Sequence, residues 1–340
     1  HYLCTEGSDF KVLGCTSLIP EGQWFGGNAD GIHVRSNKLG PWVEGCLFEG
    51  VGDDAVALYS KAIFVIKQDS PTQLRLRKKF FNLAPGDRLA LFNPREGVLL
   101  ADDQEVADVE RVPAGTDGYP EEHYRVTLVK PLAVTLETSS ADPLENDQAF
   151  SRSRVNSDFA IRNNTFSCIR RFGTVVRADG GMIEGNVYDR ISDIPVVFRN
   201  EPDLWYNGLN GSRIRIKGNT VRDSGFSQSS EGHGQIELIM YKMGRVPAEG
   251  RGHRDIRIEG NTISDWQDIA IRVENAEEVA IVDNTICAQG ERFTHLGPHY
   301  GILVDNSANV DIRGNVFTDP RELDAEIEVT DDTSAVSVQD

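Results

Sequence analysis

The 340-residue sequence is poor in the features that mark several common classes of protein. Its five cysteines show neither the CxxC nor the CxH spacing of a metal site, so no metal site and no cofactor are expected. No apolar run approaches the length of a membrane-spanning helix, so we expect no membrane insertion. Basic residues are also few: 35 Lys and Arg against 53 Asp and Glu give a net charge of -18. Because like charges repel, this acidity argues against nucleic acid as a partner.

Turn residues, in contrast, are abundant, and a short turn-and-strand unit recurs along the chain. It reads IRNNTFSCI from residue 161, IEGNVYDRI from 183, IKGNTVRDS from 216, IEGNTISDW from 258, IVDNTICAQ from 281 and IRGNVFTDP from 312. The shortest spacings between the asparagines of these units, 22 and 23 residues, fit one bare coil, and longer spacings fit a coil with an inserted loop. One such unit cannot bury its apolar face alone, so the units must stack. The pattern predicts a right-handed parallel β-helix with stacked asparagines.

Residues 59–150 break this pattern. They contain longer apolar-polar alternations, such as AIFVIKQDSPTQLRLRKKF and EHYRVTLVKPLAVTLE, joined by turns rich in Pro, Gly and Asp. Plain alternation of this kind is typical of antiparallel strands in a barrel or sandwich. We therefore predict β-helix coils over residues 1–58, an inserted antiparallel β-barrel over 59–150, and a continuation of the β-helix over 151–340.

Three aspartates stand in front of two similar apolar-alternating runs, GIHV and AVAL. Aligning the apolar positions of these runs gives an offset of 24 residues, about one coil, and puts Asp30 beside Asp54 on neighbouring rungs. Because neighbouring strands lie about 4.8 Å apart, the two carboxylates should be close. Such a pair can hold and deprotonate a water, while Asp53 can serve as the acid, which is what inverting glycoside hydrolysis requires. The alternative is that these aspartates only form turns.

The segments NADGIH and GDDAV resemble the catalytic rungs of β-helical glycoside hydrolases, including the polygalacturonases. In this chain, however, the RIK segment precedes the GHG segment, which is the reverse of the polygalacturonase order. The closer resemblance is to the family 110 α-galactosidases, β-helices with inserted β-barrels that remove terminal α-1,3-linked galactose with inversion. That resemblance implies that Asp53 is the general acid and that Asp30 and Asp54 position the attacking water.

Several other polar and aromatic side chains are candidates for contact with the substrate. They are His33, Arg199, Asn200, Glu201, Trp205 and His233. An exposed aromatic side chain such as Trp205 can stack on a sugar face, while the polar residues can bond its hydroxyls. No basic residue is expected in the aspartate rungs, which argues against a polysaccharide lyase, because such enzymes usually combine calcium with an Arg or Lys base.

We therefore expect a metal-independent, exo-acting α-galactosidase-like hydrolase with a carbohydrate substrate. From that substrate alone, the protein is expected to be secreted or periplasmic. One alternative is another β-helical glycoside hydrolase, polygalacturonase-like, that acts on a plant or algal polysaccharide. A second alternative is a non-catalytic β-helical adhesin that only binds carbohydrate.

Overall fold

In the computed structural model, three parallel sheets stack along a solenoid, and each full coil contributes one strand to each sheet. The structure describes residues 2–78, 82–140, 143–227, 233–290, 293–295 and 297–339. Sheet 1 contains Tyr2–Thr5, Ile32–Arg35, Val56–Lys61, Thr174–Val176, Val196–Phe198, Gly234–Leu238, Ile269–Glu274, Tyr300–Asp305 and Ala325–Val329. Sheet 2 contains Lys11–Leu13, Trp42–Glu44, Phe159–Arg162, Asp179–Glu184, Ser212–Lys217, His253–Glu259, Ala276–Val282, Ala308–Arg313 and Ser334–Gln339. Sheet 3 contains Thr16–Ser17, Leu47–Glu49, Thr165–Ser167, Val187–Asp189, Thr220–Arg222, Thr262–Ser264, Thr285–Cys287 and Val316–Thr318.

Aliphatic side chains from successive coils stack inside the solenoid. In sheet 1, Ile32 pairs with Val56, and Val196 pairs with Ile236. All four side chains are fully buried, and their neighbours along each strand point outward. Because the side-chain period of a strand is two residues, the in-register pairing puts every inward position of one coil onto an inward position of the next. The solenoid core is therefore continuous along its axis.

The stacked asparagines predicted from the repeats form a hydrogen-bonded ladder. The Nδ2 of each asparagine donates to the Oδ1 of the next at 2.9–3.0 Å, through Asn164, Asn186, Asn219, Asn261, Asn284 and Asn315. The residue before each asparagine turns the corner in a left-handed conformation, with φ of 66° at Gly185 and 55° at Asp283. Gly, Asn and Asp tolerate this conformation best, which explains why they alternate at that position of the repeat.

The segment between the solenoid strands Val56–Lys61 and Phe159–Arg162 forms a closed antiparallel barrel. Its strands, in spatial order, are Arg88–Asn93, Val98–Val112, His123–Leu128, Gln73–Arg77, Ile63–Ser70 and Gln148–Ser151. The barrel has its own core, in which Leu74, Leu76, Leu89, Leu91 and Val126 are fully buried. The prediction of an all-β parallel β-helix with an inserted antiparallel barrel is confirmed.

Two short elements lie outside these sheets and the barrel: the 3-10 helix Pro143–Glu145 and the strand pair Tyr241–Lys242 and Val246–Pro247. A short strand, Asn207–Gly208, joins sheet 1 beside its main strand order. Within the described ranges, no helix combines the length and apolarity needed to cross a bilayer. The strand Asn207–Gly208 pairs antiparallel with the end of the strand Val56–Lys61, at the point where the chain leaves the solenoid for the barrel. Lys61 Nζ also donates to the carbonyl of Trp205 at 2.6 Å, so the 201–209 loop is held against this end of sheet 1.

Candidate active site

The three aspartates meet at the corner where the chain enters sheet 1. The strands begin at Ile32 and Val56, which pair with each other, so the predicted offset of 24 residues is correct. One carboxylate oxygen of each aspartate, Asp30, Asp53 and Asp54, lies within 4.8 Å of the other two. The neighbouring glycine permits this approach, because a Cβ at Gly31 would lie 2.7 Å from the carbonyl oxygen of the adjacent coil.

The three carboxyl groups differ in exposure. The side chain of Asp53 is 37% exposed, whereas that of Asp54 is only 9% exposed. Burial raises the pKa of Asp54 to about 7; Arg171 opposes this effect, and the charges of Asp30 and Asp53 add to it. The structure thus puts the raised pKa of the cluster on Asp54, whereas the sequence had favoured Asp53 as the protonated group.

His33 connects Asp30 to Tyr59 on the neighbouring strand. Its Nδ1 contacts Asp30 Oδ2 and its Nε2 contacts the hydroxyl of Tyr59. Burial raises the pKa of Tyr59, so its hydroxyl keeps its proton and can donate to Nε2. The ring proton then lies on Nδ1 and is donated to Asp30. His33 therefore orients Asp30 from inside the pocket and is not a free surface histidine.

Arg171 lies among the acidic groups, contrary to the expectation that no basic residue falls in the aspartate rungs. Its guanidinium is 3.5 Å from Asp53 Oδ1, 3.8 Å from Asp54 Oδ1 and 3.5 Å from Glu201 Oε1. It also lies 4.5 Å above the ring of Phe172. The barrel separates Arg171 from the aspartates in the sequence, and only the pairing of strand 174–176 with strand 56–61 shows that they are neighbours.

Glu201 is held as an anion beside Arg171. Its Oε2 is 2.8 Å from the guanidinium of Arg177 and accepts a hydrogen bond from Asn207 Nδ2 at 2.9 Å. Burial raises the pKa of Glu201, but Arg177 and Arg199 outweigh burial, and the net effect lowers this pKa to about 2. A carboxylate fixed in this way can accept hydrogen bonds from a ligand but is unsuited to carry a proton.

These groups surround a pocket with a cavity volume of about 150 Å³. It is lined by Asp30, His33, Asp53, Asp54, Ala57, Tyr59, Lys61, Arg171, Arg177, Glu201, Trp205 and Asn207. Trp205 is 53% exposed, so it forms part of the wall and does not pack in the core. The volume lies below the roughly 300–1,000 Å³ of pockets for drug-sized ligands, which suits a single sugar ring.

Three of the predicted substrate contacts do not line this pocket. Asn200 exchanges hydrogen bonds of 2.9 and 2.6 Å with the backbone of Tyr241 and so stabilises the loop. The guanidinium of Arg199 lies between aromatic rings, 5.4 Å from Phe172 and 4.7 Å from Tyr241. His233 lies further along sheet 1. The sequence missed Tyr59, Lys61, Arg171, Arg177 and Asn207, which only the stacking of coils brings to the aspartates.

The three aspartates also have the spacing of a cation site, because carboxylate oxygens are the ligands that calcium and magnesium prefer. Arg171 already supplies positive charge at this place, 3.5 and 3.8 Å from two of the carboxylates. Metal independence therefore stays a prediction, which chelation tests.

Residues 152–340 match the family described as the right handed beta helix region. The chain belongs to this β-helix family. It is also 21% identical over 305 residues to Alpha-1,3-galactosidase B of Akkermansia muciniphila, which confirms the resemblance seen in the aspartate segments. The match covers 85% of this chain but 36% of the relative, so the chain spans about a third of that protein's length.

Solved structures of other β-helix proteins align with nearly all of this chain, but their sequence identities and TM-scores are low. The Gp54 tailspike of Acinetobacter baumannii bacteriophage AP22, in complex with a capsular saccharide, is 10% identical with a TM-score of 0.22, covering 99% of this chain and 71% of the tailspike. The tailspike gp49 of Pseudomonas phage LKA1 is 11% identical with a TM-score of 0.21, covering 98% of this chain and 71% of its own. At TM-scores this low, no argument rests on these likenesses.

Proposed function

We propose that this β-helix protein is an exo-acting glycoside hydrolase that removes terminal α-1,3-linked galactose with inversion. The observation that carries the proposal is the convergence of Asp30, Asp53 and Asp54 in a pocket the size of one sugar ring. The exposed indole of Trp205 in the pocket wall suits stacking on a sugar. The similarity to Alpha-1,3-galactosidase B supports galactose as the sugar released.

The positions of the three aspartates suggest a different catalytic role for each. Asp30 and Asp54 lie on adjacent rungs and hold the attacking water, with Asp30 oriented by His33. Asp53, the most exposed of the three, donates a proton to the glycosidic oxygen. Asp54 can accept a proton from water only after losing its own, so kcat/KM for an aryl galactoside with a good leaving group, which needs little help from Asp53, should rise as pH increases through about 7. If kcat/KM for that substrate instead falls through this pH, Asp54 acts in its protonated form and is not the base.

Arg171 favours hydrolysis over a lyase reaction. A lyase base must lose its proton, but the carboxylates of Asp54, Glu201 and Asp53 raise the pKa of Arg171 and outweigh the opposite effect of burial. A guanidinium held in its charged form by carboxylates cannot abstract a proton from a sugar. It can instead hold the neighbouring carboxylates in place and bond a sugar hydroxyl.

The stereochemical outcome needs a direct measurement. In two-carboxylate enzymes, inversion is associated with a separation of about 6.5–9.5 Å and retention with about 5–5.5 Å. One carboxylate oxygen of each aspartate lies within 4.8 Å of the other two, and this distance is nearer the range associated with retention. The pairing of Asp30 and Asp54 on adjacent rungs, where they can hold one water, supports inversion. NMR of an α-galactoside digest should therefore show β-galactose first, and α-galactose first would show a covalent intermediate instead.

Substitution of the aspartates tests their roles. Asp53→Asn should slow a natural α-1,3-galactoside by roughly 10²–10⁴-fold and an aryl galactoside with a good leaving group far less. Asp30→Asn and Asp54→Asn should slow both substrates together, because each reaction needs the activated water. Asp311→Asn, in an exposed ion pair on sheet 2, is the matched control. Full activity in all three aspartate variants would locate the reaction elsewhere, and a wild-type protein that binds but cleaves no galactoside would be a carbohydrate-binding module.

A further inference from the structure

A row of charged residues extends the aspartate corner along sheet 1. The pairing of neighbouring strands in sheet 1 can be extended to the residues just before each strand begins. Arg171 then lies beside Asp53, Asp193 lies beside Arg171, and His233 lies beside Asp193. The backbone N–H of Asp193 donates to the carbonyl of Arg171 at 3.3 Å, which supports this register outside the strands. The row therefore leads away from the pocket at about 4.8 Å per rung.

Beyond Arg171, this row becomes a polar cluster on the outer face of the sheet, which we call the Asp193 cluster: Asp193, Arg199, His233 and Glu237. His233 Nε2 is 3.8 Å from Asp193 Oδ1, and its Nδ1 is 3.6 Å from Glu237 Oε2. The side chains of Asp193 and His233 are 22% and 17% exposed, whereas that of Glu237 is fully buried. Asp193 and His233 can therefore reach a ligand, and Glu237 supports them from below.

Two buried polar atoms of the Asp193 cluster, Arg199 Nε and Glu237 Oε1, have no hydrogen-bond partner among the residues that the structure describes. His233 Nδ1 has the 3.6 Å contact with Glu237 Oε2, which is longer than a hydrogen bond. Buried polar groups in folded proteins are nearly always paired, either with protein or with bound molecules. Unsatisfied polar groups beneath the partly exposed side chains of Asp193 and His233 indicate a place where a polar ligand can bind.

The charges of the Asp193 cluster indicate what kind of ligand fits. Two carboxylates and the guanidinium of Arg199 lie around a histidine whose pKa burial lowers but Glu237 and Asp193 raise by more, and a second guanidinium, that of Arg272, lies 3.9 Å from Glu237. Hydrogen-bond donors and acceptors are thus mixed in the Asp193 cluster. Its net charge is not large enough to favour a charged ligand. A hydroxyl both donates and accepts a hydrogen bond, so a neutral, hydroxyl-rich molecule such as a sugar matches this mixture.

The position of the row indicates which sugar unit is bound. In inversion, water attacks from the side of the sugar ring opposite the leaving group. Asp30, which helps to hold the water, lies on the coil before Asp53 and Asp54, and the Asp193 cluster lies beyond Asp53 in the opposite direction. We propose that the Asp193 cluster is a second sugar subsite, which binds the unit on the leaving-group side of the scissile bond. The inference rests on the proposed function and extends it to a substrate of at least two sugars.

The test compares two substrates in the full chain. An aryl α-galactoside has no second sugar, whereas a disaccharide with terminal α-1,3-linked galactose has one. Asp193→Asn and His233→Gln should each lower kcat/KM for the disaccharide by roughly tenfold to a hundredfold, the loss expected for one hydrogen bond to a charged group. The value for the aryl galactoside should change by less than about twofold. Glu237→Gln, which keeps the side-chain shape, should give the same contrast.

Asp311→Asn on sheet 2 is the control, and circular dichroism with thermal melting shows whether each variant is folded. An equal loss on both substrates, or no loss on either, in folded Asp193→Asn and His233→Gln would overturn the second subsite while leaving the hydrolase intact. If the wild-type protein cleaves neither substrate, the proposed function fails and the subsite inference fails with it.

Discussion

The buried carboxyl group of Asp54 should make the stability of the protein depend on pH in a defined direction. Burial, together with the charges of Asp30 and Asp53, raises the pKa of Asp54 from 3.8 to about 7 in the folded state, although Arg171 opposes the change. A group with a raised folded-state pKa contributes stability that is fully present below its unfolded-state pKa. This contribution is lost as pH rises toward and through about 7.

The variant Asp54→Asn isolates this contribution, because asparagine has nearly the same shape and stays uncharged at every pH. At about 1.36 kcal/mol per pH unit, raising the pKa from 3.8 to about 7 corresponds to at most about 4 kcal/mol. We therefore expect Asp54→Asn to be more stable than the wild type above pH 7, by an amount that approaches this limit. Near pH 4 the two proteins should be similar, because Asp54 is protonated in the folded wild type.

Urea unfolding between pH 4 and 9, followed by the fluorescence of the fully buried Trp266, measures the difference. Asp179→Asn is a control with the opposite sign. Burial raises the pKa of Asp179, but hydrogen bonds from Arg213 and Ser212 outweigh burial and lower it. Asp179→Asn should therefore destabilise the protein at neutral pH and lose its effect in acid. A stability difference for Asp54→Asn that is independent of pH, or a loss of stability above pH 7, would refute the reasoning.

Three further predictions follow from the ladder, the histidine and the carboxylates. Asn219→Ala should lower the free energy of unfolding by about 1–3 kcal/mol, because it leaves the buried backbone N–H of Asn186 unpaired; a loss below about 1 kcal/mol in urea unfolding would contradict this. His33→Gln should lower kcat by roughly tenfold or more with little change in KM, because both ring nitrogens of His33 already contact Asp30 and Tyr59; a rise in KM alone would instead support the substrate contact predicted from the sequence. EDTA should leave the rate of hydrolysis unchanged, and a loss that calcium restores would show a metal site among the aspartates.

Much of the fold could be predicted from local pattern. The Gly-Asn and Asp-Asn turns predicted the asparagine ladder, because a left-handed corner residue followed by a stacking amide is a short-range requirement of each coil. The register of Asp30 with Asp54 was also predictable, because no insertion separates their coils and the apolar alternation of GIHV and AVAL fixes their pairing. The barrel was predicted because longer stretches of plain apolar-polar alternation replace the turn-and-strand repeat over residues 59–150.

The surroundings of the aspartates could not be predicted in the same way. Arg171 follows Asp54 by more than a hundred residues, and the barrel lies between them, so no repeat spacing relates the two. The placement of Glu201 and Trp205 depends on how their loop packs against Lys61, which is a contact between distant segments. The raised pKa of Asp54 likewise follows from the burial of its own side chain, which the stacking of the coils produces.

The sequence by itself determined the stacking of the coils and the aspartate pair, because both depend on interactions within one coil or between consecutive coils. It also determined the presence of an inserted barrel, because the plain alternation of antiparallel strands is a local pattern. The tertiary structure decided the rest of the pocket, the role of His33 and the location of the raised pKa. These depend on desolvation and on charges brought together from distant coils, and the electrostatic energy of a group is set by its distances in space and not by its position in the chain.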